Sequence, residues 1–257
     1  MTVQAVTISD IDVATFRRDG FLVVRPLADP AKCTAMAQVA ADHLAENLAP
    51  VEYEVDVQYP GSPSSADAEG GQTVRRLLHA YARHPAFRDW ATSAEVKSVL
   101  TRLFDSDEVV LSQCHHNCVM TKQPGYSSAT LWHQDNRYWS FDHQNLVSVW
   151  LALGHENRSN GCLRVLPGSH LLDIASGRFD AALFLRTDIP ENKQLVATAR
   201  TVELAPGDVL FFHSRLFHAA GRNLTDEVKY SAVFTYHQAA NKPIEETRSA
   251  RFPGITL

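Results

Sequence analysis

Apolar positions recur at helical spacing through the first part of the chain and fall into short strand-like runs in the second. Ser9 and Asp10 can cap a helix that runs through Ile11, Val13, Ala14 and Phe16 and stops at Gly20, and Phe21 to Leu27 then reads as a short strand. A second helix is expected from Pro30 to about Leu48. Between Tyr53 and Gly71 the period vanishes, and YPGSPSSADAEGG concentrates turn-forming residues. A loop of that length inside a compact domain suits a lid. Helical patterning returns from Val74 to about Phe104, with Pro85 opening one helix. From Glu108 onward, runs such as VVLSQCHHNCVMTK, LVSVWLAL, GDVLFFH and KYSAVFTYH alternate with Gly, Pro, Asn and Asp.

The expected fold class is α+β with a mainly β core: a sandwich, jelly roll or closed barrel braced by N-terminal helices. With 257 residues and neither repeat nor linker, a single domain is expected over 1–257. Its parts are helical support and a lid loop over 1–107, a β core over 108–240 and a tail over 241–257. Composition removes several classes of function. A formal charge of −5 without a Lys/Arg run argues against nucleic acid. No apolar run has membrane-spanning length, and MTVQAVTISDID lacks the basic end and apolar stretch of a leader, so no membrane association is expected. Four cysteines, too few and too irregular for a secreted disulfide framework, point to the reducing cytoplasm.

Histidine, with 12 copies, is the unusual residue. In TLWHQDNRYW, His133 and Asp135 stand two apart, which on a strand aims both at one face. About 0.8 such pairs arise by chance at this composition, so the pair alone decides nothing. His218, in FFHSRLFHAAGRN, would complete two imidazoles and one carboxylate, the facial set that holds Fe(II) with coordination positions open for substrate chemistry. His213 is a rival: odd spacing puts the two on opposite faces of a straight strand, and a pairing of His218 with Lys229 favours His218. Asn223 and Leu224 centre a polar turn about which positions 218 and 229 are symmetric. A regular hairpin would set Lys229 opposite His218, and an enclosed ammonium needs an anion such as a cosubstrate carboxylate.

Cys114, His116 and Cys118 share one strand face but cannot by themselves close a zinc tetrahedron. Cys118 is expected on the pocket wall, with His115, His116 and His143 as ordinary sheet residues. His170 reads as a structural turn residue, with Gly161 and Gly168 supplying backbone freedom.

The motifs TKQPGYSSATLWHQD, VWLALGHENRSNGCLRVLPGSH and GDVLFFHSRLFHAAGRNLTDE, in this order over about residues 108–240, resemble the phytanoyl-CoA dioxygenase family of Fe(II)/2-oxoglutarate oxygenases. FRRDGFLVVRPL resembles that family's opening helix and strand. The resemblance implies a double-stranded β-helix (jelly roll, cupin-like), with iron held by His133, Asp135 and His218 and chelated by 2-oxoglutarate. The far carboxylate would reach the basic residue at 229, with Trp150 beside the cosubstrate and Lys122 near its entrance. The implied reaction is hydroxylation, or another oxidation, of a C–H bond of a small molecule by O2, with succinate and CO2 as coproducts. A carboxylate at Asp135 fills the position that halogenating relatives leave to chloride.

Two departures stand out: the family usually has arginine where this chain has Lys229, and a hydroxyl residue where it has Ala220. Lysine is a compact point charge rather than a planar fork, which leaves Arg137, Arg164 and Arg222 as rival anchors. Arg137, Tyr138 and Trp139, with the lid loop, Arg75 and Arg76, are expected to form a substrate wall suited to an anionic or polar group. Two other classes fit the scaffold: a non-catalytic cupin-like metabolite-binding protein, and a metal-dependent enzyme that does not use 2-oxoglutarate.

Overall fold

The computed structural model describes residues 7–257. The first six residues, and with them half of the segment read above as lacking a leader, lie outside the described residues. Ser9 caps helix α1 (Asp10–Asp19) through a reciprocal hydrogen bond with Asp12, and Gly20, at φ 80°, ends it. Strand β1 (Phe21–Val24) is shorter than expected, because the chain turns at Arg25 and Pro26. Asp29 caps α2 (Pro30–Ala45), and β2 (Val51–Tyr53) with α3 (Glu54–Val57) leads into the Gly/Pro/Ser-rich loop.

The stretch from Val74 to Phe104 departs from the helical expectation. It begins with a strand, β3 (Val74–Leu78), followed by α4 (Ala80–Arg83), α5 (Pro85–Ala91) and α6 (Ala94–Phe104). VRRLL is too short to show a period of its own, and its pairing between β2 and a long neighbouring strand decides the conformation. That neighbour is β4 (Val109–Lys122), after which come β5 (Thr130–His133), β6 (Leu146–Ala152) and β7 (Leu163–Val165). Helix α7 (Pro190–Ala197) interrupts the strands before β8 (Arg200–Thr201), β9 (Val209–His213), β10 (His218–Ala220), β11 (Lys229–Gln238) and β12 (Ile255–Thr256).

The strands form two antiparallel sheets, so the architecture is the sandwich or jelly-roll alternative and not a closed barrel. The larger runs β1-β9-β6-β11-β4-β3-β2 with β12 on β4, and the smaller runs β5-β10-β7-β8. The N-terminal part is therefore more than helical support, since β1, β2 and β3 extend the large sheet, and the tail returns one strand to it. Alternation along the strands sorts the core into two layers. Val149, Phe211 and Phe234 join Phe16, Met36, Phe87 and Leu100 of the helices on one face. Trp150, Leu210, Phe212 and Val233 face Leu163 and Val165 of the small sheet on the other. With both faces covered, β6 is buried at every position, which accounts for the unbroken apolar character of LVSVWLA.

The expected hairpin between His218 and Lys229 does not form. Strand β10 pairs with β5 and β7 of the small sheet, whereas β11 pairs with β4 and β6 of the large one, so residues 221–228 cross between sheets. Asn223 fixes the crossing: its amide donates to the carbonyls of Lys122 (2.8 Å) and Glu227 (2.7 Å), and its Oδ1 accepts from the Thr225 amide (2.9 Å). The symmetry of the numbers missed this because a turn centred on Asn223 can close a hairpin or change sheets with the same residues. The register partner of His218 is His133, and that of Lys229 is Lys122. No helix among the described residues is long and apolar enough to cross a membrane.

Candidate active site

The pairing of β10 with β5 brings the His133 and His218 rings to 4.2 Å between centroids, from positions 85 residues apart. Asp135 enters from the 3-10 turn that follows β5, its Oδ1 lying 3.8 Å from Nε2 of His133 and 3.5 Å from Nε2 of His218. Ligand atoms of these three buried residues all fall within 4.8 Å of one another. In each histidine Nδ1 lies against a backbone carbonyl, that of Leu131 (2.8 Å) and that of Leu216 (3.1 Å). A carbonyl only accepts, so Nδ1 carries the proton and donates, and Nε2 turns a lone pair to the centre. Burial, opposed by the Asp135 charge, lowers both imidazoles below their ordinary range and keeps them neutral, as metal ligation requires. Asp135 stays ionised: against burial, His116 beside it holds its carboxyl well below the usual range. The donor set fits a divalent iron held on one side.

Two further side chains orient the carboxylate: Ser148 Oγ donates to Oδ2 (2.9 Å), and His116 Nε2 lies 2.9 Å from Oδ1. His116 had been placed among ordinary sheet residues. Strand parity could have found it, because Cys118 and Lys122, both assigned to the pocket, share its face of β4.

One cavity of about 260 Å³ opens from this centre. Its lining includes Lys122, Trp150 and Lys229 together with Arg137, Tyr138 and Trp139, which follow Asp135 in the chain. Arg75, Arg76 and, from the lid loop, Tyr59 complete the expected wall. Cys118 does not line the cavity. It packs against the Trp150 and Val233 layer with its Sγ 3.9 Å from Sδ of Met120, and Met120, one pleat further on, reaches the surface in its place. Arg164 lies over Trp132 instead, and Arg222 is bound to the Ser127 carbonyl (3.1 Å), so of the three rival arginines only Arg137 reaches the cavity. His213 accepts from the Arg215 amide and faces His170, away from the site.

Lys229 is not the unpaired cation that its burial suggested. Its Nζ donates to Glu156 Oε2 (3.1 Å) and Ser231 Oγ (3.1 Å), while Glu156 Oε1 accepts from Trp150 Nε1 (2.9 Å) and Ser231 Oγ (2.6 Å). Glu156 escaped notice because it is polar in a turn, 73 residues from the lysine it neutralises. Lys122 is the cation left over. Among the described residues its Nζ has only the Ser128 carbonyl (2.9 Å) as a partner, and burial, then Lys229 and Arg75, push it down to about 7. Gly161, at φ 76°, makes room for it, since a Cβ there would stand 2.9 Å from Cδ of Lys122 and 2.5 Å from the Gly221 carbonyl.

Comparison with known proteins agrees with this construction. A solved structure of EctD from S. alaskensis with 2-oxoglutarate and 5-hydroxyectoine superimposes with a TM-score of 0.76 over 92% of this chain and 78% of that one, at 20% identity, a likeness of fold. The chain is 26% identical over 154 residues to phytanoyl-CoA dioxygenase 1 of Oryza sativa subsp. japonica, covering 60% of this chain and about half (53%) of the rice protein. It is 22% identical to phytanoyl-CoA dioxygenase domain-containing protein 1 of Danio rerio, over 90% of this chain and 89% of the fish protein. The family model described as Phytanoyl-CoA dioxygenase (PhyH) matches residues 16–231, most of both sheets and both histidine-bearing strands, and the chain belongs to that family.

Proposed function

We propose that this protein is an Fe(II)/2-oxoglutarate-dependent dioxygenase that hydroxylates a C–H bond of a small organic metabolite. The observation that carries the reading is the pair of imidazoles whose Nδ1 protons are taken by backbone carbonyls, leaving both Nε2 atoms and Asp135 Oδ1 convergent on a cavity with a basic far end. Iron, 2-oxoglutarate and O2 together supply the oxidising power, with succinate and CO2 as coproducts. The chain's own residues do the rest. His133, Asp135 and His218 hold the metal from one side, and Ser148 and His116 keep the carboxylate turned to it. Lys122 and Lys229 receive the far carboxylate of the cosubstrate, with Lys122 supplying the uncompensated charge and Trp150 walling the slot. The buried walls keep bulk water from the oxidant. Helices, both sheets and tail act as one domain, and four free, buried cysteines suit a reducing compartment such as the cytoplasm. The test is succinate formation from 2-oxoglutarate that requires Fe(II) and O2 and disappears in Asp135→Ala.

A metal-dependent enzyme without 2-oxoglutarate is the second reading, favoured by the Lys229–Glu156 pair, which satisfies that lysine internally. Calorimetry separates the two: absence of 2-oxoglutarate binding to the metal-loaded protein selects the second.

A further inference from the structure

Charges around the cavity pair off until two remain. Arg76 and Arg75 share Glu52 (2.9 and 3.4 Å), with Glu54 beside Arg75. Lys229 has Glu156, Asp135 faces the metal, and Lys122 is committed to the cosubstrate carboxylate in the reading above, on which this inference rests. Arg137 and Arg248 have no counter-charge among the described residues. Arg137 gives its protons to neutral acceptors, the Ala182 carbonyl (3.0 Å) and the Tyr59 hydroxyl (3.0 Å), and lies 4.2 Å over the Phe184 ring. Arg248, from the tail, lines the same cavity, and among the described residues its guanidinium has no hydrogen bond or ion pair.

Its placement is built. The neighbouring Ser249 Oγ accepts from the Ser140 amide (2.8 Å) and lies 2.9 Å from Nε2 of His115, whose ring stacks on Trp139 at 4.6 Å. The tail is thereby tied to the segment that directly follows Arg137. Two guanidinia without counter-charge that line one cavity together with Tyr138 and Trp139 match an anionic group on a flat or apolar body.

We propose that Arg248 and Arg137, both on the wall of the cavity, form a substrate-anion clamp, and that the substrate is a small organic acid, a carboxylate or a phosphate or sulfate ester, bound there by its charged end while its apolar part reaches toward the metal. The two arginines thus set specificity and take no part in holding iron or cosubstrate.

The experiment uses full-length protein loaded with Mn(II) and 2-oxoglutarate, titrated calorimetrically with sulfate, standing for an ester, and with acetate, standing for a carboxylate. The parent is expected to bind at least one of them saturably, and the tighter one identifies the group. Arg248→Gln and Arg137→Gln are each expected to weaken that binding about tenfold or more, the size of one charge-assisted hydrogen bond, with 2-oxoglutarate affinity unchanged. Parent protein that binds neither anion, or variants that bind as the parent does, would overturn the clamp. Failure of the parent to bind 2-oxoglutarate at the loading step would instead remove the oxygenase reading beneath it.

Discussion

The two ends of the cavity are built on opposite principles. At the metal end the orienting partners of the two ligand histidines are neutral and local: each imidazole is aimed by a carbonyl two residues before it, and Asp135 supplies the negative charge that faces the metal. At the far end the orienting partner is itself charged and distant, and Glu156 cancels Lys229 before any ligand arrives. The difference teaches where binding energy resides. A charge already paired inside the protein shapes the slot, and the charge held against burial, Lys122, is the one a carboxylate relieves.

The largest effect is expected at the metal end. Asp135→Ala should bring 2-oxoglutarate turnover to background, a greater loss than the roughly 10- to 100-fold in metal affinity expected for Ser148→Ala, which removes only the partner of Oδ2. Metal titration of both variants ranks them, and equal losses would mean that Asp135 is not a ligand.

The lysines should then separate from each other. Lys122→Met is expected to raise the 2-oxoglutarate requirement by about 30-fold or more, the cost of losing one partner of a buried charged contact, without lowering the melting temperature. Lys229→Met should instead destabilise the fold by about 3–5 kcal/mol, because Glu156 is left buried without its cation. Adding Glu156→Gln to that variant should return part of the stability. Thermal melts beside cosubstrate titrations check the contrast, and it breaks if both lysines behave alike.

A smaller effect concerns pH. The unfolded chain holds a proton on Lys122 up to about 10.4, whereas the folded protein releases it near 7. Between those values the unfolded state binds more protons, so this group makes stability rise with pH, an increment that Lys122→Met should lack. Bound carboxylate favours the ammonium form, so 2-oxoglutarate affinity should fall as pH climbs above about 7. Melting and calorimetric titrations at several pH values read both slopes.

Legibility in the sequence follows the same division. His133 and Asp135 could be read because they stand two apart in the chain and need no distant contact to meet, although Asp135 lies in the turn just past the strand, and β4, β6 and β11 because their apolar runs are long. His218 came out as a candidate ligand for a reason that the structure replaces: its neighbour is His133 across the small sheet, not Lys229 across a hairpin. Glu156 and Arg248 carried no local signal. Each acquires its meaning from a contact made across the fold, between the Glu156 turn and β11, and between the tail and the Tyr138–Ser140 segment. VRRLL became a strand for the same kind of reason, its partners being supplied by β2 and β4.

The central claim is that both ends of the cavity act on one cosubstrate, chelated at the metal and charge-paired at Lys122. The most direct measurement is anaerobic titration of the Fe(II)-loaded protein with 2-oxoglutarate, followed by visible absorption. A weak charge-transfer band should grow to saturation in the parent, appear in Lys122→Met only at about 30-fold higher 2-oxoglutarate, and be absent in Asp135→Ala. Iron-loaded parent that develops no band, or Lys122→Met that titrates as the parent does, would contradict it.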